Sequence, residues 1–384
     1  MKNSNDIALI APPWWLIPSK NTLTATEHLV EDYAYHLKRL GYSSLIFSRK
    51  KDYTDREDIS DINRYSNKYV YTKVSKIDRK CFRKTNIFFY LIYILKVSFK
   101  INRLGIRKII VFQTLPFCFW IKVLNPKSKV LFHIGGHELS KNENYFNYGY
   151  ISDRLGRVVL KKIDYILAVS KHIQRGIIKR FPMFKARIKV VYAGIDTNIF
   201  KKGENNTSNP IIVFAGRVVP EKGIYLLINA FKNLKKEFKE LKLYVIGESL
   251  GPNIPIGFEK IFKMEGIKRY NLLPRKELAK VLREGNIFVY PVIMEEAFGL
   301  APVEAMASGL VTVVSNSKSG YREVIKDGVN GYYFKYNDEG DLERVLKKIL
   351  SSLDKQDIIR ESAINTVRES LNWDNCIKET VKYF

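Results

Sequence analysis

The chain carries one pattern twice. Short runs rich in β-branched residues alternate with longer amphipathic stretches, first over residues 1–200 and again beyond residue 210. Apolar runs bounded by turn residues read as strands buried on both faces, and their alternation with helices builds mostly parallel sheets. The first half offers Ile7–Ala11, Ser44–Phe47, Lys108–Phe112, Lys129–His133, Tyr165–Val169 and Ile188–Tyr192 as strands. Thr26–Leu40 reads as a helix, because Leu29, Tyr33, His36, Leu37 and Leu40 share one face. The turn-rich segment Lys201–Pro210, KKGENNTSNP, then breaks the alternation as a linker does. Beyond it come strand Ile211–Phe214, helix Tyr225–Glu237, strand Lys242–Ile246, helix Lys276–Glu284, strand Ile287–Tyr290, a helix near Ala301–Ser308 and strand Val311–Val314. The expectation is α/β: two doubly wound, Rossmann-like domains with a cleft between them. Ligands of such sheets lie beyond the carboxyl ends of the strands.

At 384 residues the chain has enough length for two cores, and 46% hydrophobic with 27% charged residues is a globular composition. Its longest apolar run, Ile87–Leu95, falls far short of the roughly 20 residues that span a bilayer. The N-terminus reads as a first buried strand rather than a signal peptide, so a cytoplasmic location is expected. Cys81, Cys118 and Cys376 are widely spaced, as inert thiols in a reducing compartment would be. His133 and His137 have the i, i+4 spacing of a helical metal site. Gly135 and Gly136 between them argue against a helix, and no metal is expected.

Lys and Arg outnumber Asp and Glu by 65 to 39, a net charge of +26. Between Lys68 and Lys108 twelve basic residues face a single acid, Asp78. Arg79, Lys80, Arg83 and Lys84 precede the aromatic run NIFFYLIYIL, a pattern that fits either a helix at an anionic lipid interface or a core helix with solvated basic ends. No nucleic-acid-binding motif accompanies the charge, so nucleic acid is the less favoured partner.

Two segments carry chemistry. In FAGRVVPEKG, Phe214–Gly223, a strand ends at Gly216, and Arg217 and Lys222 follow in a loop that opens a helix. Cations beside helical N–H groups make a diphosphate site, although an ordinary charged turn reads the same way. The segment has neither the dinucleotide nor the P-loop glycine pattern. In EEAFGLAPVEAMASG, Glu295–Gly309, Glu296 falls in a loop and Glu304 within the next helix. Two carboxylates suit vicinal hydroxyls such as those of a sugar and a ribose, and Phe298, Gly299 and Leu300 can turn N–H groups toward the same place. Acids complementing a helix dipole account for Glu295 or Glu296, but not for Glu304.

GRVVPEKG followed by EEAFGLAPVEAMASGLVTVVSNSKSGYREVIKDGVNGYYF resembles the C-terminal half of the family 4 retaining glycosyltransferases of GT-B fold. DYILAVSKHIQRGI, IKVVYAGIDTNIF and IALIAPPWWLIPS resemble parts of their N-terminal domain. The resemblance implies an acceptor-side domain over 1–200, a linker over 201–210 and a nucleotide-sugar domain over 211–365. A C-terminal helix, 366–384, would cross back to the first domain. It also implies that Arg217 and Lys222 hold the donor diphosphate of a UDP- or GDP-sugar, without metal or other cofactor. Glu296 would bind the transferred sugar beside Phe298–Leu300, and Glu304 the ribose. A histidine near the reacting carbon corresponds to His133 or His137 in VLFHIGGHE, and His133 is favoured because it directly ends the apolar run. The glycine-rich loop of the family corresponds to NTLTATEHLV, where Thr24 and Ala25 stand for paired glycines and Glu27 for the following acid; Ser19, Thr22 or Thr24 would supply hydroxyls. A smaller departure is Ala193, where the family often has Asn. The basic aromatic stretch Lys68–Lys108, rather than the resemblance, motivates peripheral docking on an anionic membrane with a hydroxyl of a lipid-linked or cell-envelope glycan as acceptor. The competing readings are an inactive GT-B scaffold, supported by Thr24 and Ala25, and a basic nucleic-acid-binding protein.

Overall fold

The computed structural model describes residues 6–12, 25–49, 68–72, 87–140, 152–203, 208–249, 254 and 258–384. They fall into two compact units, Met1–Tyr192 with Asp374–Phe384, and Ala193–Trp373. In the first unit β1 (Ile7–Ile10), β2 (Ser44–Arg49), β3 (Tyr69–Thr72), β4 (Lys108–Phe112), β5 (Lys129–Ile134), β6 (Tyr165–Ala168) and β7 (Ile188–Val190) form a sheet in the order β3-β2-β1-β4-β5-β6-β7. Every pairing is parallel. A parallel sheet needs cover on both faces, and the central strands are accordingly buried along nearly their whole length.

The crossovers are α1 (Ala25–Arg39), α2 (Ile87–Leu104), α3 (Leu115–Leu124), α4 (Asp153–Lys162) and α5 (Lys171–Arg180). Right-handed connection places α1 on one face of this strand order, and α2, α3 and α4 side by side on the other. Both α2 with α3 and α3 with α4 are in contact. Helix starts follow local chemistry: Ser152 and Ser170 accept from the N–H groups of Leu155 and Ile173, filling the N-cap role.

The second unit repeats the plan with β8 (Ile211–Ala215), β9 (Lys242–Ile246), β10 (Ile267–Tyr270), β11 (Ile287–Tyr290), β12 (Val311–Ser315) and β13 (Tyr332–Phe334), in the order β10-β9-β8-β11-β12-β13. All its pairings are parallel. Its helices are α6 (Ile224–Glu237), α7 (Arg275–Glu284), α8 (Leu300–Ala307), α9 (Glu339–Leu350) and α10 (Asp357–Ser370). Asn229 and Asn233, one turn apart on α6, bond Glu339 and Glu343, one turn apart on α9.

Strand and helix positions expected from periodicity match these elements to within a residue or two at most ends. Three strands had no counterpart: β3, β10 and β13. Each is a sheet edge, and the described edge residues are mostly half-exposed, so the buried run that marks a central strand is missing. The division between units falls at Tyr192, ahead of the polar segment. Residues 193–200 pack with the second unit: Ile195 N–H bonds Leu371 O, and Phe200 is fully buried.

The chain returns to the first unit at α11 (Trp373–Val381). Cys376, Ile377 and Thr380 lie on one helical face and are buried, with Cys376 Sγ and Thr380 Oγ1 3.4 and 3.3 Å from the Tyr33 hydroxyl of α1. Truncating Ile377, fully buried, removes apolar contact from that tie. Ile377→Ala is expected to cost about 2–5 kcal/mol, seen as a lower urea midpoint of the transition that reports the first unit.

Candidate active site

The site is built where the loops after β8, β11 and β12 meet in the second unit. After β8, Gly216 donates to Ile246 O at 3.0 Å, and the chain runs through Arg217 into a short turn, Pro220–Lys222. Gly223 then takes the left-handed conformation, φ +72°, to start α6. A Cβ there would lie 1.8 Å from Pro291 O, so only glycine lets this turn seat on the end of β11. Ile293 N–H bonds Glu221 O at 3.1 Å and joins the two loops along the backbone.

That seating buries Lys222, which is 6% exposed. Its ammonium donates to the Tyr290 hydroxyl at 2.9 Å and to the Glu296 carboxylate in a short ion pair. Burial raises the Tyr290 hydroxyl pKa well above its ordinary value, and Glu296 adds to the rise while Arg217 opposes it. Arg217 itself is exposed and has no ion-pair partner among the described residues.

The loop after β12 holds Glu296 from the other side. Glu296 N–H donates to Ser319 Oγ at 2.8 Å, and Gly320 N–H donates to Glu296 O at 2.9 Å. A Cβ on Gly320 would meet Ala297 O at 2.2 Å. Ser319 is fixed in turn by Ser317 at 2.8 Å. Ser317 lies 2.6 Å from the Tyr321 hydroxyl, which donates to Ser315 O at 2.8 Å. Glu296 is therefore held at its N–H, its carbonyl and its carboxylate.

Phe298 is buried, and Gly299, φ +86°, turns the chain into α8 at Leu300. Within α8, Glu304 lies 3.6 Å from Arg275 Nη2, and the Arg275 guanidinium stacks over Phe200 at 5.3 Å. Sequence reasoning brought Gly216, Arg217, Lys222, Glu296, Phe298, Gly299, Leu300 and Glu304 to these loops. It missed Tyr290, Arg275, Ser319 and Tyr321. The serines and tyrosine stand in SNSKSGY, a polar run directly after a buried strand, which was the available signal.

In the first unit the two histidines separate. His133 lies within β5, fully buried, its ring 5.5 Å from Tyr33 and 5.1 Å from Phe112. Neither ring nitrogen has a hydrogen-bond partner among the described residues. His137 lies past the carboxyl end of β5, with Nδ1 3.2 Å from Ser140 Oγ and its ring edge-on to His172. Burial lowers both pKa values to about 4, helped at His137 by His172, so both rings are neutral at pH 7. Beside them, Glu138 folds its carboxylate over Gly136. Glu138 is half-buried as a residue, but its Oε2 is cut off from solvent without a partner among the described residues, and burial raises its pKa to about 7. Thr22 and Thr24, like Ser19, lie outside the described residues; of Ala25 and Glu27 only the backbone, at the start of α1, is described.

Residues 195–366 match the model of glycosyl transferases group 1, and residues 26–199 that of glycosyltransferase family 4. The chain belongs to the family 4 glycosyltransferases of GT-B fold. It is 26% identical over 275 residues to an uncharacterized glycosyltransferase of Methanocaldococcus jannaschii, covering 67% of this chain and 68% of that one. It is 24% identical over 379 residues to the lipopolysaccharide 1,2-N-acetylglucosaminetransferase of Salmonella typhimurium, covering 90% of each. Among solved structures, Anabaena HepE in complex with UDP and glucose superposes with a TM-score of 0.73 at 15% identity, over 98% of each chain. Glycosyl transfer is the activity these relationships support.

Two outcomes follow from this geometry. Tyr290→Phe deletes one of the two acceptors of a buried ammonium, and is expected to lower kcat/KM for the nucleotide sugar about tenfold in steady-state assays while the fold is retained. The second concerns pH. Glu138, raised from 4.5 to about 7, contributes stability that is complete below pH 4.5 and lost as pH rises through 7. His133 and His137, lowered from 6.5 to about 4, contribute stability that is complete above pH 6.5 and lost as pH falls through 4. The two effects oppose each other over one window. Glu138→Gln removes the first, so unfolding free energy should rise with pH more steeply than in the wild type, by at most about 1.4 kcal/mol per pH unit. Denaturant titrations from pH 4.5 to 7 measure the difference.

Proposed function

We propose that the protein transfers a glycosyl group from a UDP- or GDP-sugar to a hydroxyl of a glycan or lipid-linked acceptor, with retention at the anomeric carbon and without a metal ion. The observation that carries this reading is the convergence of Arg217, Lys222 and Glu296 beyond the carboxyl ends of β8 and β11. Arg217 and Lys222 face the donor diphosphate and take the place of a divalent ion, in a chain whose sequence contains no D-x-D pair. Glu296 accepts from hydroxyls of the transferred sugar, the Phe298–Leu300 backbone lies beside it, and Glu304 accepts from the ribose.

In the transfer the bond from the anomeric carbon to the diphosphate oxygen breaks, and a bond to the acceptor oxygen forms on the same face. The acceptor proton passes to the departing phosphate oxygen, so no protein nucleophile is required. The cations act on the charge that develops on the leaving group, and orientation supplies much of the rest. His137, rather than the core residue His133, takes the place of the histidine that the family resemblance sets near the reacting carbon. Support for this comes from its position past the end of β5, where ligands of parallel sheets lie. The Salmonella relative, named a lipopolysaccharide N-acetylglucosaminetransferase, supports an envelope glycan as acceptor, and the basic charge of the first unit supports its presentation at an anionic membrane.

Lys222→Ala and Arg217→Ala should each lower kcat about 10²–10³-fold, the cost of removing one group aimed at developing charge. Turnover is followed by nucleotide release, and the anomeric configuration of the product by NMR. Normal turnover in either variant, or an inverted product, would sink the reading.

A further inference from the structure

The face of α2, α3 and α4 is unusual for a solvated helical layer. On α2, Leu95, Lys96, Phe99 and Arg103 fall on one stripe at helical spacing, with Phe99 69% and Leu95 51% exposed. On α3, Trp120 and Val123 point outward, Trp120 at 41%. On α4, Leu155 and Val158 form an exposed pair flanked by Lys161 and Lys162. Right-handed crossovers and the contacts of α3 with both neighbours set these stripes side by side on one face of the sheet.

The charge on this face is nearly all of one sign. The three helices carry three, one and four basic residues respectively, and their single acid, Asp153, is bound by Arg180 at 2.7 Å. Large apolar and aromatic side chains interspersed with cations match a surface that offers acyl chains and anionic headgroups together. A protein interface core is instead depleted in lysine. Among the described residues no helix is long and apolar enough to cross a membrane.

We propose that the α2–α3–α4 face docks the protein on an anionic lipid bilayer, with Phe99, Trp120, Leu155 and Val158 entering the interfacial zone and Lys96, Arg103, Lys161 and Lys162 meeting the headgroups. This rests on the membrane-presented acceptor proposed above and names the surface that brings the enzyme to it.

The test is flotation of the full chain with phosphatidylcholine vesicles, with and without phosphatidylglycerol. The protein should float only with the anionic vesicles, and less as salt is raised. Lys161→Glu with Lys162→Glu should lower partitioning about twentyfold or more, at about fivefold per cation removed. Phe99→Ala with Trp120→Ala should lower it at any salt concentration. All four residues are exposed, so unchanged circular dichroism and unchanged nucleotide-sugar hydrolysis are expected controls. Equal flotation with both vesicles, flotation indifferent to the substitutions, or no flotation overturns the proposal. So does salt-sensitive retention on DNA in place of lipid, or a dimer that the Phe99 and Trp120 changes abolish. Hydrolysis without flotation removes the docking face and leaves glycosyl transfer standing; flotation without turnover on any nucleotide sugar does the reverse.

Discussion

Every strand pairing in both sheets is parallel, and this constraint sends the carboxyl ends of neighbouring strands to one edge. In the second unit it forces the loops after β8, β11 and β12 together. Their backbones pack so closely that Gly223 and Gly320 have room for a hydrogen only. The side chains that the loops carry meet as a consequence: Lys222 from the first, Tyr290 and Glu296 from the second, Ser319 from the third. The candidate site is thus a product of strand direction before it is a product of any one residue.

Burying an ammonium costs several kcal/mol unless it is matched. Lys222 is matched by a carboxylate and a hydroxyl, which leaves this part of the site close to neutral inside, while Arg217 stands outside without an ionic partner among the described residues. In the proposed donor mode an incoming diphosphate meets Arg217 first and competes with Glu296 for Lys222. As the Lys222 ammonium turns to the phosphate, its hold on Glu296 weakens and the carboxylate becomes available to sugar hydroxyls. A resting ion pair of this kind couples recognition of the phosphate to recognition of the sugar. The Ser319 and Gly320 bonds keep the Glu296 backbone in place during that exchange.

Much of this was legible in the sequence because the central strands are buried on both faces and read as continuous apolar runs. The edge strands β3, β10 and β13 were not legible, since half-exposed residues such as Lys268 and Arg269 of β10 disguise them as loops. His133 and His137 show the same limit at the level of a side chain. The apolar run before it favours His133 in the sequence, whereas the fold sinks His133 between Tyr33 and Phe112 and carries His137 into the turn beyond β5. Tyr290 was hidden for the opposite reason: it closes a buried strand, and nothing in the sequence marks its hydroxyl as the partner of a lysine 68 positions upstream. Long-range pairing is set by which strands are neighbours, and β8 lies beside β11 only in the folded sheet.

The same strand direction relates the lipid-facing surface proposed for the first unit to its chemistry. Helices that cross back between parallel strands run antiparallel to them, so α4 begins at the edge where β5 ends and His137 lies. Leu155 sits in the first turn of α4 and Lys162 at its last residue, a span of about 10–15 Å along the axis. The outward stripe therefore starts near the carboxyl edge of the sheet and runs away from it, which keeps the docking residues on the flank and the histidine loop at the end. In the proposed docking mode the basic charge of the helices has a role separate from the one proposed for Arg217 and Lys222: the helices would hold the enzyme at the lipid surface, and Arg217 and Lys222 would meet the donor.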